Sequence, residues 1–313
     1  MKMAILSRSS AVMICVVAVA SCTASPPLES TSSAPTGAVE EAVLEPQVAA
    51  PAEKPAKPSQ PIRSDFWFDG SPQQGGIVVA RAPTGVGSVK LDGQSLPVTP
   101  DGFFLMGFNR DAEKFANLSW TADGAQPSRM LAVRPGKWKI ERVNVSRRGN
   151  AKTSAEFNRR RAPELAQINA ARAEQNDSGG WRQEFIWPVK GRLSGFFGAQ
   201  RIYRGTPGGY HTGLDIAAPN GTSIVAPADG VITLSAKKPF TREGYLLMID
   251  HGMGLNSAFV HCSQLLVNKG DVVKQGQVVA RVGRTGSATG PHLHWSMKWN
   301  AARVDPLLLL PPQ

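Results

Sequence analysis

The sequence predicts a mainly β protein: a small antiparallel β-sandwich, a helical linker, and a C-terminal antiparallel β-sheet domain. Three observations carry this. Short runs rich in β-branched and aromatic residues recur between turn signals over most of the chain. The 31 glycines and 24 prolines, beside only 7% aromatic residues, are the composition of a chain with many turns. One segment, between the two β-rich regions, has a helix cap followed by an Ala- and Arg-rich run. At 313 residues there is room for two domains and tails, and 42% hydrophobic content is ordinary for a globular protein.

The first 22 residues read as an export signal. Lys2 and Arg8 precede an apolar run from Ala11 to Ala20, too short to span a bilayer, and small residues follow. Val19-Ala20-Ser21-Cys22 resembles the lipobox of bacterial lipoproteins, in which the cysteine becomes the lipidated first residue, so a membrane anchor is expected at Cys22. Ordinary cleavage after Ala18-Val19-Ala20 is the competing outcome. Cys15 leaves with the signal, and acylation of Cys22 leaves Cys262 without a partner, so no disulfide framework is expected. The net charge of +11 suits anionic surroundings. No basic run is interleaved with aromatics, so nucleic acid is not an expected partner.

Residues 23–61 are rich in Pro, Ala, Ser, Thr and Glu and cannot bury enough apolar surface to fold. They read as a tether, about 39 residues that at ~3.1 Å each reach at most roughly 120 Å. Residues 62–147 are assigned to the sandwich. Its β runs are Ile77–Ala80, Ser88–Leu91, Phe103–Met106, Asn117–Trp120, Met130–Val133 and Trp138–Ile140, with turns at Asp92-Gly93, Asp101-Gly102 and Asp123-Gly124. It contains no histidine or cysteine, and is read as a spacer or binding module. Residues 148–180 form the helical linker. Thr153-Ser154-Ala155-Glu156 fits a capping box, Pro163 is expected to end one helical piece and begin another, and Leu165 and Ile168 fall on one face. The run Arg159-Arg160-Arg161 is expected on a solvated face.

All five histidines lie in residues 181–313. In Gly290-Pro291-His292-Leu293-His294-Trp295, strand alternation sends Leu293, Trp295 and Met297 to a core and both imidazoles to the other face. Such a pair suits a metal site or acid/base chemistry; equally, one ring caps a turn and the other is a surface residue. His211-Thr212-Gly213-Leu214-Asp215 has the i, i+4 spacing of two ligands on a helix, but the surrounding Gly and Pro make a loop entering a strand the better expectation. With His294 these give two imidazoles and a carboxylate, a set that leaves zinc an open fourth position for water. Cys262 is a rival ligand, but as the strand neighbour of His261 it points the other way. The glutamate base of an H-E-x-x-H motif is absent, which leaves His261 and His292 as acid/base candidates.

Together, His211-x-x-x-Asp215, Phe259-Val260-His261-Cys262 and Gly290-Pro291-His292-Leu293-His294 resemble the lysostaphin/LytM-type zinc metalloendopeptidases that cut peptidoglycan. The flanks Trp187-Pro188-Val189, Gly195-Phe196-Phe197-Gly198 and Ala226-Pro227-Ala228-Asp229-Gly230 share the likeness, which covers about residues 187–306. The resemblance implies an antiparallel sheet domain of the barrel-sandwich-hybrid type. It further implies zinc (Zn2+) bound by His211, Asp215 and His294, and catalytic roles for His261 and His292. Peptidoglycan stem peptides or their cross-links become the implied substrate, hydrolysed with zinc-bound water as nucleophile, in a lipid-anchored protein of the bacterial cell envelope. One departure is Phe259-Val260-His261-Cys262, where the family often has Tyr-x-His-Leu. His251 matches a family turn and is read as structural. Two other functions compete. Catalytically inactive LytM-like proteins activate wall amidases, but they lack the metal ligands present here. The Gly270–Val278 segment resembles a lipoyl-type hairpin, but it carries no lysine at a central tight turn.

Overall fold

The protein is described by a computed structural model that covers residues 65–146 and 154–313. The export signal, Cys22 and the 23–61 tether lie outside the described residues, as does Thr153. Among the described residues no helix is long and apolar enough to cross a membrane.

The N-terminal region is built from two antiparallel sheets, as its alternating runs require. Strands β1 (Trp67–Asp69), β2 (Ile77–Arg81) and β5 (Phe103–Gly107) form one; β3 (Val86–Leu91), β4 (Gln94–Leu96), β6 (Phe115–Ala122) and β7 (Ser128–Ala132) form the other. Two of the expected turns are two-residue hairpin loops with both residues left-handed: Asp92 and Gly93 (φ 49° and 81°) and Asp123 and Gly124 (φ 49° and 77°). That is the turn Asp-Gly favours, because its twist matches the flanking strands. Phe66, Val78, Ala80, Val89, Phe104 and Leu118 are buried in the core.

The sixth expected run departs from this plan. Trp138 and Lys139 are not in a strand, and β8 (Ile140–Val143) joins neither sheet of the sandwich. It pairs in parallel with a strand of the C-terminal region, Gln200 lying opposite Ile140. The indole of Trp138 instead packs edge-on against Phe197, ring centroids 5.6 Å apart. Arg110, 6% exposed, fastens the two regions: Nε donates to the Gly198 carbonyl (3.1 Å), Nη2 to Gln200 (3.0 Å), and the guanidinium lies over Tyr210. One buried core runs through both regions.

Helix α1 (Ala155–Ala173) is continuous, with Pro163 inside it. Pro163 removes one donor, to the carbonyl of Arg159, and that turn is exposed, so the helix carries on past the proline. The cap is Ser154, whose hydroxyl accepts from the Phe157 N–H (3.1 Å). The buried stripe is Glu164, Ile168 and Ala171, whereas Leu165 is exposed.

The C-terminal region is organised by an antiparallel sheet. Its strands are β9 (Arg192–Gly195), β12 (Leu214–Ala217), β14 (Gly230–Ser235), β15 (Tyr245–Asp250), β16 (Leu255–Cys262), β18 (Val272–Val273), β20 (His292–Trp299) and β21 (Ala302–Val304). The order is β18-β14-β15-β16-β20-β12-β9, with β21 continuing the β12 edge along the far end of β20. The hairpin β10 (Gln200–Tyr203) and β11 (Thr206–Tyr210) carries β8 at its edge. A smaller sheet holds β13 (Ser223–Val225), β17 (Gln264–Leu265) and β19 (Val278–Arg281). On one face of the large sheet Phe259, Leu293, Trp295 and Met297 are fully buried. On the other face, α1 lays Ile168 and Ala171 over Leu246, Met248, Ala258 and Val260.

Candidate metal centre and active site

Strand β20 alternates as its sequence requires. Leu293, Trp295 and Met297 face the core, and His292, His294, Ser296 and Lys298 face the groove half-buried. Asp215 stands directly opposite His294 in the β12–β20 ladder, the register at which cross-strand side chains meet. His211 arrives from the loop before β12. Its N–H donates to the Ala199 carbonyl (2.8 Å), its carbonyl accepts from the Gly198 N–H (2.9 Å), and its Nδ1 bonds the Phe196 carbonyl (3.1 Å). That last bond keeps a proton on Nδ1, so Nε2 is the nitrogen turned to the cleft.

Three donor atoms converge. His211 Nε2 lies 3.1 Å from both Asp215 Oδ1 and His294 Nδ1, and His294 Nδ1 lies 2.8 Å from Asp215 Oδ1. Zinc with ligands at about 2.0–2.1 Å in a tetrahedron holds its donors roughly 3.3 Å apart, so this triangle has the size of one face of such a site. The donor chemistry also fits, with two imidazoles, one carboxylate and an outer hydrogen bond orienting a ligand ring. Burial works to raise the Asp215 pKa and to lower that of His211. The hydrogen bonds and charge between them prevail, holding the carboxyl far below its usual range and the imidazole above its own. Gly195 and Gly213 make the room. A Cβ on Gly195 would stand 2.3 Å from Asp215 Oδ2, and one on Gly213 would stand 2.9 Å from His294 Nε2.

His261 and His292 stand beside this triangle, ring centroids 4.9 Å apart. His292 Nδ1 bonds the Gly290 carbonyl (2.9 Å), and His261 Nδ1 the Thr285 carbonyl (2.7 Å). Each ring thus has its Nδ1 engaged and its Nε2 turned to the groove, that of His292 lying 3.9 Å from Asp215 Oδ1. Burial depresses the His261 pKa, the Thr285 bond opposes this, and the neighbouring His292 and His294 rings add to the depression. His261 reaches the groove through a bulge. Phe259 pairs with Leu247 but Cys262 with Tyr245, so β16 carries one extra residue there, and His261 takes φ +65°. A non-glycine residue in this conformation is strained and is held by its surroundings. Its N–H donates to the Glu243 carbonyl (2.8 Å). The bulge sends Cys262 to the core, where burial pushes its thiol up to about 12. It is therefore not among the converging donors.

His251 is fully buried and away from the cluster. Nδ1 bonds the Asp229 carbonyl and Nε2 the Ser257 hydroxyl, both at 2.8 Å, and burial lowers its pKa to about 4. Two cavities flank the donor triangle. One, of about 320 Å³, reaches from His261 and His294 to α1; the other, of about 1060 Å³, runs from His211 along β8, β10 and β11. Sequence reasoning missed the α1 and β8 residues in these walls, because nothing local to either segment signals the sheet on which it docks.

Residues 209–306 match the peptidase family M23 model. The DD-carboxypeptidase/endopeptidase Mpg of Neisseria meningitidis is 41% identical over 102 residues, which are 33% of this chain and 23% of that protein. The peptidoglycan DD-endopeptidase ShyA of Vibrio cholerae is 36% identical over 117 residues, 36% of this chain and 26% of its own length. The chain thus spans about a quarter of the length of these curated relatives. A Pseudomonas aeruginosa crystal structure assigned to peptidase M23 aligns with a TM-score of 0.57 at 29% identity, covering 77% of this chain and 95% of that one.

Proposed function

The chain belongs to peptidase family M23, and from that premise we propose that it is a zinc-dependent endopeptidase hydrolysing peptide cross-links of peptidoglycan. The observation that carries the proposal is the convergence of His211 Nε2, Asp215 Oδ1 and His294 Nδ1 on one point, with His261 and His292 beside it. Zinc held there by His211, Asp215 and His294 would supply a Lewis acid and activate water for attack near neutral pH. The rest of the chemistry falls to the chain. His211 Nε2 and His294 Nδ1 would hold the metal together with Asp215, whose carboxylate would offset part of its charge. His261, kept neutral by burial, accepts a proton at Nε2 and returns it to the leaving amine. His292 Nε2 faces the same space and, when protonated, donates to the oxyanion of the tetrahedral intermediate. The sheet floor and α1 wall the cleft on one side.

Export, and a lipid anchor at Cys22 facing the periplasm, belong to the same proposal. The anchored tether would let the peptidase reach the wall from a membrane.

The test is digestion of purified wall fragments by the full chain with and without a chelator. Cross-linked peptides should be cut only with zinc. His294→Ala should lose both metal and rate, whereas His292→Ala should keep metal and lose rate by about 10²-fold or more. Intact fragments under every condition, with zinc bound, would overturn the enzymatic reading in favour of a wall-binding activator of amidases.

A further inference from the structure

Beyond His294, the groove face of β20 continues to Ser296 and Lys298. Lys298 pairs directly across the ladder with Arg303 of β21, and on its other side with Asn256 of β16. Arg172, in the last turn of α1, comes down on the same ground. Burial and repulsion from Arg303 lower its pKa against the pull of Glu243, and burial with repulsion from Arg172 and Arg303 lowers that of Lys298.

Three cations gathered in this way oppose folding. Like charges directly across a ladder repel, and although Arg303 is exposed, Arg172 and Lys298 are partly desolvated cations without a partner, which is costly. Nevertheless, Nε of Arg172 is buried with no hydrogen-bond partner. Among the described residues, none of the three cations takes part in an ion pair. The nearby acids are committed elsewhere. Glu243 is held by both terminal nitrogens of Arg161, and Asp250 accepts from Asn176 and from the Gly252 N–H. Arg172, Arg303 and Ser296 line the 320 Å³ cavity that also contains His261 and His294. Arg172 and Arg303 therefore border the space in which a scissile bond would lie, and Lys298 adjoins it through its pairing with Arg303.

We propose that Arg172, Lys298 and Arg303, with the Ser296 hydroxyl, form a subsite for a free carboxylate of the peptide substrate. This deepens the peptidase reading and rests on it. A carboxylate accepts from guanidinium and ammonium groups together and relieves their repulsion. From His294 to Lys298 is four residues of strand, about 13 Å, so the carboxylate belongs within about four residues of the bond cut. Arg172 lies outside the 209–306 family segment, so the helix contributes specificity as well as spacing.

The experiment compares two synthetic cross-linked wall peptides, one with free carboxylates and one with the same groups amidated. For the full chain loaded with zinc, kcat/KM should favour the carboxylate peptide by about tenfold or more. In Arg172→Gln, Lys298→Gln and Arg303→Gln that ratio should fall towards one. Because each substitution removes an unpaired charge, the peptide-free Tm should hold or rise, which a merely structural role would not allow. Calorimetric binding of the carboxylate peptide to chelator-treated protein, weakened in Arg172→Gln, reads the site without turnover. Equal cleavage of both peptides, or a ratio unchanged in the three variants, overturns the subsite and leaves the peptidase standing. If neither peptide is cut, the peptidase reading fails, and the binding measurement alone decides the subsite: selective binding supports it, and equal binding of both peptides overturns it.

Discussion

If His211, Asp215 and His294 hold zinc as proposed, replacing Gly195 with alanine should weaken that binding while leaving the fold in place. The residue lies on β9, opposite Asp215 of β12, and its backbone is not in the left-handed region, so alanine brings no dihedral strain. What it brings is a methyl group 2.3 Å from Asp215 Oδ2 and 2.9 Å from its Cγ, where ordinary contact begins at 3.4 Å. The carboxylate must retreat by about 1 Å. Metal sites tolerate errors of roughly 0.2 Å in ligand position, so Asp215 would no longer complete the set. The expected loss of zinc affinity is at least the 10–100-fold seen for disturbed outer partners, about 1.4–2.7 kcal/mol. Competition titration against a chromogenic chelator measures it, and thermal melting checks the fold. Gly209→Ala, on β11 with nothing within 4 Å of the added carbon, is the control and should bind zinc normally. Wild-type zinc affinity in folded Gly195→Ala would refute both the crowding argument and the assignment of Asp215 as a ligand.

Two further outcomes are expected. Burial holds the folded-state pKa of His251 at about 4, below the ordinary 6.5. The unfolded chain therefore takes up a proton that the folded chain refuses, so this contribution to stability is complete above pH ~6.5 and is lost as the pH falls towards 4. Its size is about 3 kcal/mol, to be read as a steeper acid loss of urea stability in the wild type than in His251→Gln. At the N-terminus, labelled palmitate should enter the wild-type chain in a lipoprotein-processing host and be absent from Cys22→Ala; labelling of that variant would exclude the anchor.

Much of the site was legible in one dimension because strand alternation is local. His292 and His294 share a face whatever the strand pairs with, and the core side of Leu293, Trp295 and Met297 follows from the same period. The turns Asp92-Gly93 and Asp123-Gly124 were legible for a similar reason, since their backbone twist is a property of the two residues. Pro163 shows the limit of such reasoning. A proline breaks a helix when the freed carbonyl and the ring have nowhere to go, and on the exposed side of α1 they do. The expected pairing of Leu165 with Ile168 failed in the same way, because docking on Leu246, Met248 and Val260 selects the stripe of Glu164, Ile168 and Ala171.

By itself, the sequence determined the β-rich class, the residue types able to hold zinc, and the common face of the two C-terminal histidines, all of which depend on composition or on neighbours along the chain. Tertiary structure alone decided that Asp215 stands opposite His294, because register is set between strands distant in sequence. It decided that His261 enters the groove while Cys262 is buried, because that depends on one extra residue and a strained φ in β16. And it decided that α1 brings Arg172 to Lys298 and Arg303, since repulsion among cations carried on separate elements exists only once packing has brought them together.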